Sequence, residues 1–100
     1  MVNSKQEIIQ NNFLIDLCKQ EKIAMLALFG SFQRDEANEK SDVDFVVKFE
    51  NMPGLLKFSN ITYRIEENLG RHVDLLTIDS ISPYIREEIL NSMEVIYNEE

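Results

Sequence analysis

Asp42 and Asp44 stand two residues apart in "SDVDFVVKF", where a charged loop enters an apolar, β-branched run. Side chains two apart on a strand project to the same face, roughly 6–7 Å apart along the chain. Both carboxylates therefore aim at one spot, while Val43 and Phe45 point the other way. Two ionised carboxylates held together repel each other, so the pair makes sense around a divalent cation. Hard oxygen ligands favour Mg²⁺ or Mn²⁺. A third acid, Asp74 in "HVDLL", could complete a three-carboxylate cluster from a neighbouring strand. Metal pairs about 3.5–4 Å apart, bridged by carboxylates, activate an attacking hydroxyl and stabilise a leaving pyrophosphate.

The complementary part lies just upstream, in "ALFGSFQR". Gly30 after an apolar strand lets a phosphate approach the backbone closely, and Ser31 offers a hydroxyl and an amide. Arg34 could reach a phosphate or an acidic acceptor. Each residue also has a plainer reading. Asp74 suits a strand-end acid paired with Arg71 or His72, and Ser31 suits a helix cap. Arg34 suits a surface ion pair with Glu36 or Glu39, and Ser41 suits the turn into the strand. His72, the only histidine, suggests neither a zinc site nor a triad and reads as structural; Cys18 reads as core.

The elements that must position these groups follow from periodicity. Ser4-Lys5-Gln6-Glu7 fits a capping box, and Ile8, Ile9, Phe13, Leu17 and Cys18 predict one helix to about Gln20. "IAMLALF", Ile23 to Phe29, is apolar on both alternating faces and suits a central strand. Gln33 to Lys40 is polar and predicts a loop that begins with a helical turn; Asp42 to Phe49 predicts a second strand. Leu55, Phe58, Ile61, Ile65 and Leu69 give one helical face, with Pro53 near its first turn and Gly70 as its stop. His72 to Ile78 predicts a third strand. Ser82-Pro83 caps a last helix expected to turn Ile85, Ile89, Met93 and Ile96 inward, before a mobile Glu99-Glu100 tail. This order predicts an α/β (α+β) layer fold, a small mixed sheet packed by helices. Length alone leaves the pairing direction of the first two strands open.

The 100 residues make one domain, residues 1–100, of ordinary globular composition. A net charge of −8 argues against direct nucleic-acid binding and makes cations necessary for any polyphosphate ligand. A lone cysteine fits a reducing cytoplasm, and the opening "MVNSKQEIIQ" predicts neither signal peptide nor membrane span.

Gly30, Ser31, Arg34, Ser41, Asp42 and Asp44 in "GSFQR…SDVDFVV", followed by "HVDLL", resemble the minimal nucleotidyltransferases of the DNA polymerase β-like superfamily. The likeness spans Ala27 to about Ile78, and "SPYIREEILNSMEVIY" also looks like the family's C-terminus. It implies that Asp42, Asp44 and Asp74 are catalytic and bind Mg²⁺ (or Mn²⁺), with Asp74 helping to activate the acceptor. Gly30, Ser31, Arg34 and Ser41 would hold the nucleotide. The implied reaction is transfer of AMP from ATP, with release of pyrophosphate. Small stand-alone members are similar to antitoxins paired with an all-helical HEPN ribonuclease toxin, some of which modify a toxin tyrosine with AMP. Such a toxin is therefore the implied partner, with no membrane role and with self-association left open. Where the family reads R-G-E-A, this chain has Arg34-Asp35-Glu36-Ala37. Aspartate can take a glycine-like positive φ at some strain. That departure, with the acidic surface, supports the alternative of a weak or inactive module that neutralises its partner by occlusion.

Overall fold

The computed structural model describes residues 1–99. Ser4 opens α1 (Lys5–Ile9) by accepting from the Glu7 amide at 3.2 Å, while the Glu7 carboxylate reaches the Asn3 amide at 3.4 Å instead of closing the box on Ser4. The single helix expected here is two. Asn11 interrupts it, because its side-chain oxygen accepts from the Leu14 amide at 3.1 Å and starts α2 (Asn12–Gln20) afresh. Then follow β1 (Ile23–Phe29), the one-turn α3 (Gly30–Gln33), β2 (Val43–Phe49), α4 (Leu55–Leu69) and β3 (Val73–Thr77). A 3₁₀ turn (Ile78–Ser80), α5 (Pro83–Ser92) and β4 (Glu94–Asn98) complete the order.

The four strands form one mixed sheet in the order β3-β2-β1-β4. β1 pairs antiparallel with both β2 and β4, and β2 pairs parallel with β3. One face is dry. Leu26, Leu28, Val43, Phe45 and Val47 meet Leu14, Leu17 and Cys18 of α2 and Ile61, Ile65 and Leu69 of α4, all fully or almost fully buried. Pleating then puts Asp44, between Val43 and Phe45, on the opposite face.

Two expectations for apolar faces need correction. Leu55 is 80% exposed, so the inward face of α4 begins at Phe58. The last helix stops at Ser92, and Ile85 is 47% exposed. Ile85, Ile89, Met93 and Ile96 match helical spacing, but Val95 to Tyr97 is also a β-branched and aromatic run. It satisfies the otherwise free edge of β1, with Leu26 opposite Tyr97 and Leu28 opposite Glu94 across a register shift. Ile96 and Tyr97 pack against the core from there. The Glu99 amide continues the edge by donating to the Ala24 carbonyl at 3.0 Å, so Glu99 is held where a mobile Glu99-Glu100 tail was expected; Glu100 lies outside the described residues. Gly70 ends α4 at φ 70, as expected from its position. No helix among the described residues is long and apolar enough to cross a membrane.

Candidate active site

The parallel register of β2 and β3 sets Val43 beside Val73 and Asp44 beside Asp74. Asp42 and His72 occupy the positions just before these pairs. The Asp44 and Asp74 side chains therefore project to the same face of the sheet. His72 Nδ1 lies 3.6 Å from Asp42 Oδ2 and 3.9 Å from Asp74 Oδ1. The Asp42 and Asp74 side chains are 51% and 49% exposed, so the cluster opens to solvent at its rim. Asp44 lies deeper. Burial pushes its pKa up from 3.8 to about 6, helped by the neighbouring Asp74 carboxyl and the charge of Asp42; Arg34 pulls the other way. Like charges are thus crowded together with little to oppose them. Three carboxylates provide the oxygen donors that suit Mg²⁺ or Mn²⁺, and a divalent cation would relieve the repulsion that raises Asp44.

Gly30 is required here twice over. Its φ is +79, and a Cβ at this position would run into the Asp44 carboxylate. The break after β1 therefore leaves space against the acidic face, and the half-buried Ser31 follows at the start of α3. Arg34 ion-pairs with Glu36 at 2.9 Å, both side chains exposed, while its charge still reaches Asp44. The Ser41 hydroxyl turns into the loop, accepting from the Asn38 amide at 2.8 Å, and so shapes the turn that presents Asp42. Asp35 adopts φ 59, the conformation expected of the replaced glycine, with Lys5 Nζ 3.7 Å from its carboxylate.

Two residues that the sequence offered only as ion-pair partners of Asp74 belong to the site, and the pairing with His72 is the one formed. His72 is one, drawn into the cluster by the strand register. Arg71 is the other, and it is 8% exposed. Its Nε donates to the Val2 carbonyl at 2.6 Å, and one terminal nitrogen donates to the carbonyls of Asn38 and Ser41 at 2.8 Å each. The guanidinium also lies 4.8 Å from the Phe32 ring centroid. One side chain thus ties the N-terminal segment, α3 and the loop before Asp42 to the start of β3. The signal available in "GRHVDLL" was only a cation next to a strand, which usually marks a wet end. A depression of about 510 Å³ lies at the other end of these strands, lined by Val47, Phe49, Met52 and Thr77 among others, and does not include the carboxylates.

The nucleotidyltransferase domain family matches residues 11–96. Protein adenylyltransferase MntA of Thermococcus cleftensis is 43% identical over 72 residues, covering 72% of this chain and 71% of that one. A solved structure assigned to a minimal nucleotidyltransferase is 29% identical, with a TM-score of 0.77 over 95% of this chain and 96% of that one. At 19% identity, the MNT antitoxin in complex with the tri-AMPylated HEPN toxin of Shewanella oneidensis shares the fold. Its TM-score is 0.69 over 94% of this chain and 72% of that one.

Proposed function

The chain belongs to the nucleotidyltransferase domain family, and from that premise we propose that it transfers AMP from ATP to a hydroxyl of a partner protein. The observation that carries this reading is the alignment of Asp44 with Asp74 across β2 and β3, with Asp42 alongside. An acceptor oxygen attacks the α-phosphorus of ATP. The new O–P bond forms as the bond to the bridging oxygen breaks, and pyrophosphate leaves with that oxygen. The acceptor's proton passes to an Asp74 carboxylate oxygen. Asp42, Asp44 and Asp74 would hold Mg²⁺ or Mn²⁺, which supplies the charge neutralisation that lets a triphosphate approach these acids. Gly30 keeps the backbone clear for the triphosphate, Ser31 donates to it, and Arg34 adds a cation at its edge. Ser41 contributes by holding the turn that presents Asp42.

The partner we assign is an all-helical HEPN ribonuclease toxin, with this chain as its antitoxin. Support comes from the 43% identical relative named as a protein adenylyltransferase and from the resemblance carried by "GSFQR…SDVDFVV". The positive φ of Asp35 and its Lys5 neighbour favour activity over the occlusion alternative, since the backbone and a counter-charge absorb the substitution. The test is label transfer from α-³²P-ATP to a co-expressed HEPN partner, with and without Asp42→Asn and Asp44→Asn. Loss of label in the double variant is expected. Equal labelling would overturn the assignment, and undiminished protection by an unlabelling variant would favour occlusion.

A further inference from the structure

Resting on that metal-dependent reading, we propose that His72 is a nitrogen ligand that makes this cluster prefer a borderline divalent ion, such as Zn²⁺, over Mg²⁺. One oxygen each from Asp42 and Asp74 and one ring nitrogen of His72 lie within 4.8 Å of one another. Around a tetrahedral ion with bonds of about 2.0–2.1 Å, neighbouring ligand atoms sit roughly 3.3 Å apart. The observed 3.6 and 3.9 Å from Nδ1 need a contraction of about half an ångström on that geometry, and the two carboxylate oxygens, within 4.8 Å of each other, close by up to about 1.5 Å. A side chain that is 64% exposed has the freedom to supply it.

The other ring nitrogen is also provided for. His72 Nε2 lies 3.9 Å from Glu66 Oε2, and that carboxylate is fixed by the Val73 amide at 2.9 Å. Brought about 1 Å closer, that carboxylate would accept from the distal N–H and set the tautomer of a metal-bound histidine, leaving Nδ1 free to ligate. Imidazole binds Zn²⁺ well but has little attraction for Mg²⁺, which keeps oxygen ligands and water. Carboxylates alone would not discriminate in this way.

His72 is the only histidine, so side-chain ¹⁵N NMR of the full chain follows one imidazole. Zn²⁺ is expected to move the Nδ1 resonance and leave the proton on Nε2, whereas Mg²⁺ leaves both in place. By calorimetry, His72→Gln should weaken Zn²⁺ binding at least about tenfold, with Mg²⁺ affinity held within about twofold; Glu66→Gln should weaken Zn²⁺ binding less. Zn²⁺ binding that depends on Asp42 and Asp74 but leaves the imidazole unmoved would overturn the role of His72 and spare the carboxylate site. Mg²⁺ binding without Zn²⁺ preference would overturn the selectivity. Failure of both ions to bind would overturn this inference together with the metal dependence of the proposed function.

Discussion

Asp44 lies opposite Asp74 on the adjacent parallel strand, on the face of the sheet away from the dry core. Apolar residues at these positions would make a more stable sheet. The pair instead keeps negative charge concentrated at one point, which is useful only to something positively charged.

Stability should record that cost. Folding raises the Asp44 pKa from 3.8 to about 6, so across this window the folded state holds the proton more tightly than the unfolded chain. The contribution is present in full below about pH 4 and is lost as pH rises through about 6. Asp44→Asn removes the charge while keeping the shape. Its melting temperature should exceed that of the parent at pH 7.5 without divalent ions, and the gap should shrink on acidification. Saturating Mg²⁺ at pH 7.5 should narrow it as well, by stabilising the parent more than the variant, which keeps only two of the three carboxylates.

Gly30→Ala places a Cβ both at positive φ and against the Asp44 carboxylate. The backbone effect alone is worth about 1–2 kcal/mol. Urea unfolding should show at least that loss. AMP transfer should fall further than the folded fraction does, because Asp44 must move aside.

Asp35 tests how the loop tolerates its missing glycine. At φ 59 alanine lacks the local hydrogen bonding that helps aspartate, so Asp35→Ala should be about 1 kcal/mol less stable than Asp35→Gly. Paired denaturant melts of the two variants measure the difference. Transfer activity in Asp35→Gly should at least equal that of the parent.

Arg71→Met keeps much of the apolar stem but strands the carbonyls of Val2 and Ser41 and leaves that of Asn38 with only the Ser41 amide. The loss should be about 3 kcal/mol or more, since hydrogen bonds to a charged donor and the burial of their acceptors are both involved. Hydrogen exchange offers the sharper readout. Amides from Asn38 to Asp42 should lose protection before those of α4, because the guanidinium is what fastens that loop.

Much of the molecule could be read from local pattern. Alternation in "DVDFVVKF" predicted that Asp42 and Asp44 oppose Val43 and Phe45, and the burial of both apolar residues agrees. Ile61, Ile65 and Leu69 announced the inner face of α4, and Gly70 its end. Misreadings arose where a local signal had two physical outcomes. Asn11 could sit within a helix or cap a new one, and its side chain capped. "EVIY" fitted helical spacing, yet the free edge of β1 recruited it as a strand.

The sequence by itself determined the strands and helices that carry the acids, the face each acid takes, and the glycine-serine break. Those follow from pleat, helical period and glycine's freedom, which act between near neighbours. Only the tertiary structure decided the register of β2 against β3, and with it the meeting of Asp44 with Asp74 and of Asp42 with His72. It also decided that Arg71 is a buried tie, for the oxygens it holds come from segments remote in the chain. Pairing across such separations is chosen by packing the whole sheet and core at once, and no short-range pattern encodes that choice.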